Sequence, residues 1–109
     1  MTGHKDFQAV FQHGTRIERP SLIVVWKESD HTRRVGFAVS RQMHGAVRRN
    51  RARRRLREAY RAARGFSPTR ADLVIVARGP ALTRPFESLV REVRSALGAI
   101  AERSSRGCR

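Results

Sequence analysis

Apolar and polar positions along the chain change period several times, and each period predicts a different element. In DFQAVFQHG, Phe7, Val10 and Phe11 stand at i, i+3 and i+4 and give a short helix one apolar edge, with Asp6 as its N-cap and Gly14 as its stop. SLIVVWK, from Ser21 to Lys27, is a continuous β-branched run that predicts a buried strand. After the polar turn ESDHT comes RRVGFAVS, from Arg33 to Ser40, which alternates in size. Val35, Phe37 and Val39 share a face suited to a core. Gly36, Ala38 and Ser40 share the other, small enough for a helix or a ligand backbone to approach.

GAVRRNRARRRLREAYR, from Gly45 to Arg61, predicts a long helix that GFSP breaks at Gly65 and Pro68. DLVIVA, from Asp72 to Ala77, predicts a third strand, and RGPALTRP a loop in which Thr83 and Pro85 start the last helix. On that helix Phe86, Leu89, Val90, Val93, Leu97 and Ile100 keep helical spacing, and the polar tail AERSSRGCR is expected to fray. The predicted order is helix, strand, strand, long basic helix, strand, helix. Strands this apolar need covering by the helices, so the fold class is α+β, a small α/β sandwich.

The long helix decides what the chain is for. At 3.6 residues per turn, Ala52, Leu56, Ala59, Tyr60 and Ala63 fall on one narrow stripe. Opposite lie Asn50, Arg53, Arg54, Arg57, Arg61 and Arg64, with Arg51 close to their edge. A disordered basic tail has no reason to keep its apolar residues in register, so this is a folded helix packed by small side chains. Arginine and alanine both favour helix, and Glu58 relieves part of the like-charge repulsion near Arg54, Arg55 and Arg61. The outer face is a rigid comb of guanidinium groups suited to bidentate contacts with phosphate. A merely solvated charged face would mix signs, and this one is nearly all positive.

Composition points the same way. Twenty-four Lys and Arg against nine Asp and Glu give a net charge of +15 and a pI near 11.9 in 109 residues. Such an excess repels itself in a compact domain and calls for a polyanion, with nucleic acid ahead of an acidic membrane surface. The length fits one domain, residues 1–109, with frayed ends near 1–4 and 102–109. No apolar run is long enough to span a bilayer and no hydrophobic signal segment is evident, so a cytoplasmic location without membrane association is expected. Cys108 has no second cysteine to pair with, and His4, His13, His31 and His44 are scattered, so neither an internal disulfide nor a protein-only metal site is expected.

Zinc-finger spacing, basic-zipper heptads, a helix-turn-helix pattern and the aromatic signature of an RNA recognition motif are all missing. The few aromatics, five Phe, one Tyr and one Trp, are mostly needed for a core, which favours a reader of RNA shape and backbone over a pure base-stacker. Catalysis by the chain itself would need a carboxylate or histidine cluster, and the carboxylates are dispersed, mostly beside arginines. No catalytic residue is expected in this chain.

The segment RRVGFAVSRQMHGAVRRNRARRRLREAYR resembles the signature of the protein subunit of bacterial ribonuclease P, a strand followed by an arginine-asparagine-arginine helix. Its kernel is Arg49, Asn50 and Arg51, continued by Arg53, Arg54, Arg57 and Glu58. DFQAVFQHG is similar to that family's first helix and DLVIVARGPA to its late strand, so the likeness runs from about Asp6 to Leu97. It implies a sandwich with a left-handed βαβ crossover, similar to a ribosomal-protein-like RNA-binding domain, and a division of labour. The ribonuclease P RNA cuts the 5′ leader from precursor tRNA with Mg2+ held mainly by RNA, and the protein binds that RNA and the leader. By this resemblance Arg48, Arg49, Asn50, Arg51, Arg53, Arg54, Arg57 and Arg61 contact RNA. Phe7, Phe11, Asn50, Arg54 and Arg57 line the leader cleft, and no protein oligomer is required. The sequence departs from the family at His44-Gly45, where Gly-Asn is common, and at Val25, where an aromatic is common. A ribosomal or other non-enzymatic RNA-binding protein is the alternative reading.

Overall fold

A computed structural model describes residues 14–28, 32–40, 43–66 and 70–107. Four strands, β1 (Thr15–Glu18), β2 (Leu22–Glu28), β3 (Arg34–Val39) and β4 (Ala71–Ala77), form one sheet in the order β1-β2-β4-β3. Helix α1 (Ala46–Ala63) joins β3 to β4, and α2 (Phe86–Gly107) follows β4. The mixed α+β architecture predicted from sequence is present. The first predicted helix, with Asp6, Phe7, Val10 and Phe11, lies outside the described residues.

Pairing explains why β2 and β4 read as unbroken apolar runs. They occupy the middle of the sheet, antiparallel to each other with Val24 opposite Ile75 and Val25 opposite Val74, and both faces of each strand are covered. β3 pairs with β4 in parallel, Phe37 opposite Ile75, so the β3–α1–β4 connection is a βαβ crossover. One sheet face carries Ile17, Leu22, Val24, Trp26, Val39, Leu73 and Ile75 into the main core, where Leu56, Tyr60, Leu89, Val93, Leu97 and Ile100 of the helices meet them. Val25 and Val74 form a second buried cluster on the other face, with Ile23, Ala38 and Val76 packed against it. Val25 and Trp26 thus face opposite ways, as strand alternation requires.

Strand β1 was not foreseen. Of its four residues only Ile17 is buried, so it offers one apolar position where a period of two needs several. Register supplies what the pattern lacks, setting Ile17 opposite Val24. Two other expectations change in detail. Arg64 leaves α1 and opens a 3-10 turn, Arg64–Phe66, ahead of the predicted break. Within the predicted loop a second 3-10 turn, Gly79–Leu82, forms, and Thr83 closes it by donating its N–H to the Pro80 carbonyl at 3.1 Å. Thr83 thus ends this turn rather than starting α2, which begins just after Pro85, whose carbonyl accepts from Ser88 and Leu89. The backbone of α2 is helical through Gly107. Ala101, Glu102 and Arg103 are good helix formers, and the first strong breaker there is the glycine.

α2 is fastened to the β1–β2 turn by Glu92. Its carboxylate accepts the Ser21 backbone N–H and hydroxyl, both at 2.8 Å, and Ser21 is fully buried. Across the sheet edge Arg34 meets Asp72 through two bonds of 3.0 Å, linking β3 to β4 at one end of their ladder.

Candidate nucleic-acid interface

The buried residues of α1 are Ala52, Leu56, Ala59, Tyr60 and Ala63, the stripe read from the sequence. Their small size lets α1 sit closely, though its main neighbour is α2, with β3 and the Gly79–Leu82 turn next. Tyr60 meets Phe37 of β3 edge-on, ring centroids 5.9 Å apart, and fixes the helix over the strand.

With that face anchored, the remaining positions fall where RNA could reach them. Arg48, Asn50, Arg51, Arg54, Arg57 and Arg61 are exposed, and Arg53 is half-buried. Asn50, Arg53, Arg54 and Arg57 line one open hollow of about 250 Å³. Inside it Arg53 Nη1 donates to Asn50 Oδ1 at 3.3 Å, and the Arg57 guanidinium lies 5.9 Å from the centroid of the Phe37 ring. The asparagine orients one arginine while the aromatic ring supports another. Arg61 is paired with Glu58 at 3.3 Å, an exposed pair one helical turn beyond the hollow. Successive exposed positions Arg54, Arg57 and Arg61 rise along the axis by about 1.5 Å per residue, so the positive face spans about 10 Å from first to last.

Two arginines in the same run are turned to structural use. Arg49 is half-buried, and its Nη1 donates to the carbonyls of Met43 at 3.0 Å and Ser40 at 3.4 Å, which ties the β3–α1 connection to the helix. Arg55 donates to the backbone of the Gly79–Leu82 turn and of Arg84. Sequence reasoning passed over Arg55, and missed Phe37 as a support for Arg57. The spacing held the first signal, because Arg55 stands three residues after Ala52 and four before Ala59, at the rim of the buried stripe.

The chain enters α1 through Gly45, whose φ of +91° is the only positive value among the described residues. No side chain caps the helix and no acidic residue lies in its first turn, so its exposed N-terminal N–H groups add to the positive charge of Arg48 and Arg51. His44, beside it, is exposed. Among the described residues no group of three His, Cys, Asp or Glu side chains could hold a metal ion, and no helix is long and apolar enough to cross a membrane. Phe7 and Phe11, the other expected cleft residues, lie outside the described residues.

Comparison with known proteins gives this geometry a context. The ribonuclease P protein component of Desulfotalea psychrophila is 33% identical over 97 residues, covering 87% of this chain and 77% of that protein. That of Brucella suis is 49% identical over 78 residues, and there the chain spans 55% of the relative's length. The RNase P protein from Thermotoga maritima superposes with a TM-score of 0.77 at 24% identity, covering 87% of this chain and 91% of that one, a likeness of fold. A sequence model of the Ribonuclease P family matches residues 1–101, and on that match and the 33% identity the chain belongs to the ribonuclease P protein family.

Proposed function

We propose that α1 is the surface by which this chain holds the ribonuclease P RNA and the 5′ leader of precursor tRNA, promoting endonucleolytic removal of the leader. The observation that carries the reading is the hollow of Asn50, Arg53, Arg54 and Arg57 on a helix whose opposite face is fully packed. Guanidinium groups held on a rigid backbone meet phosphate oxygens with little further loss of side-chain freedom.

Arg48, Arg51, Arg53, Arg54, Arg57 and Arg61 neutralise phosphates of the RNA partner, and Arg49 does so while bracing the turn that precedes them. Asn50, Arg54 and Arg57, with Phe7 and Phe11, take the leader. Mg2+ held mainly by RNA phosphates supplies the activated water and the charge stabilisation for phosphodiester hydrolysis. The dispersed carboxylates of this chain suit no such task, so its part is to bind, orient and screen repulsion between two polyanions. One copy carries the whole arginine face, so no protein oligomer is required. Precursor tRNA as substrate puts the site of action in the cytoplasm.

The test is single-turnover cleavage of a precursor tRNA at low Mg2+ by the chain alone, a bacterial ribonuclease P RNA alone, and the two together. Correct 5′ cleavage that is far faster in the mixture is expected. A mixture no faster than the RNA alone, despite tight binding, would instead indicate a non-enzymatic RNA-binding protein.

A further inference from the structure

The large apolar side chains exposed among the described residues are Val47, Phe66 and Phe86. Two of these belong to one patch away from the Asn50–Arg57 hollow. Phe66, 50% exposed, ends the 3-10 turn after α1, and Phe86, 41% exposed, begins α2. Arg94 connects them. Its guanidinium lies over the Phe66 ring, 5.1 Å from the centroid. With Phe86, Glu87, Val90 and Arg91 it also lines an open hollow of about 350 Å³.

Phe86, Val90 and Arg94 stand at i, i+4 and i+8, a stripe of α2 beside the Leu89, Val93, Ala96 and Ile100 stripe that enters the core, and half-buried Val90 packs against that core at its rim. Both rings leave a large part of their surface open to solvent. Arg91 and Arg94 are exposed and line the hollow, Arg64 is exposed two residues before Phe66, and Glu87 is the one acidic residue lining the hollow. An aromatic floor with a positive rim is the arrangement by which proteins hold unpaired nucleotides, bases on the rings and phosphates on the arginines. A protein partner would have to bring acidic groups to the same rim.

We propose that the Phe66–Phe86–Arg94 patch is a second RNA-binding surface, taking an unpaired segment with a base stacked on Phe86 or Phe66 and phosphates on Arg91 and Arg94. This rests on the RNA-binding reading of α1 but shares none of its hollow's residues.

The test measures the affinity of the full chain for a bacterial ribonuclease P RNA, and of the assembled complex for a precursor tRNA, across a salt series. The variants are Phe66→Ala with Phe86→Ala, Phe86→Tyr, Arg91→Ala with Arg94→Ala, and Arg54→Ala, each checked by thermal melting. The double alanine variant is expected to bind at least one of the two RNAs about tenfold more weakly at every salt concentration, with Phe86→Tyr close to the unaltered chain. Loss of Arg91 and Arg94 is expected to make the salt dependence shallower by about 0.7 per phosphate contact. A Phe86→Trp chain adds an exposed indole to the buried Trp26, and its emission is expected to be quenched by the RNA. The proposal is overturned if all patch variants bind both RNAs like the unaltered chain and the new indole is unquenched, while Arg54→Ala binds more weakly. A change in sedimentation with RNA affinity unchanged also overturns it, in favour of contact between copies. If the unaltered chain binds neither RNA, the proposed function itself fails and this surface with it.

Discussion

Arg55 donates its Nε to the carbonyl oxygen of Ala81 at 2.9 Å and its Nη2 to that of Arg84, so an arginine from the middle of the basic run is turned inward to hold the turn before α2. Its neighbour Arg54 points to solvent. Adjacent residues of the same type thus serve opposite ends, one the fold and the other the surface.

Arg55→Ala is expected to lower stability by about 1–3 kcal/mol, because two backbone carbonyls lose a charged donor. Arg54→Ala is expected to change stability by no more than about 0.5 kcal/mol. Urea unfolding of the two variants side by side checks the contrast. Equal effects would mean that the contacts of Arg55 contribute nothing net.

On RNA the order reverses. Arg54→Ala and Arg57→Ala are each expected to weaken binding to a ribonuclease P RNA and to reduce the slope of log affinity against log salt by roughly 0.7–0.9. Arg57→Lys keeps the charge but gives up the planar group lying over Phe37, and so is expected to recover only part of the affinity. Titrations at several salt concentrations separate the two contributions.

Glu92 offers a prediction remote from RNA. Glu92→Ala leaves the Ser21 N–H and hydroxyl, both in contact with the carboxylate at 2.8 Å, without their acceptor. A loss of about 1–3 kcal/mol is expected. Glu92→Gln retains one good acceptor and should lose less. Denaturant midpoints for the pair decide whether this latch is worth what its geometry indicates.

Gly45 adopts φ +91° and ψ 127°, and a Cβ built there meets nothing within 4 Å. Gly45→Ala therefore meets no clash, only a backbone conformation that alanine disfavours, at a cost of roughly 1–3 kcal/mol. A melting curve checks it, and an unchanged midpoint would mean that the turn into α1 relaxes freely.

Much of this structure was legible because burial leaves a period in the sequence. The stripe Ala52, Leu56, Ala59, Tyr60 and Ala63 is buried as spacing alone predicts, and β2 and β4 show the unbroken runs of strands covered on both sides. β1 was not legible, since an edge strand with one buried residue is held by its partner rather than by its own pattern. Thr83 was misread because a residue that starts a helix and one that closes a turn look alike until the preceding carbonyls are placed. Arg55 was overlooked for a different reason: guanidinium groups look identical in sequence whether they meet a phosphate or a backbone carbonyl, and only the distance to Ala81 tells them apart.

The parallel pairing of β3 with β4 carries one more consequence. α1 is spliced between two strands that must lie side by side, so the stripe beneath its arginines is buried only when a contact distant in sequence has closed. The arginine face is backed by a packed core only in the closed form, and the repulsion among its charges works against closing. A polyanion that binds the closed form more tightly than the open one would draw molecules into it by mass action, adding at most RT ln(1 + [L]/Kd) to its stability. Such a partner would sort folded from unfolded copies as well as being held by them.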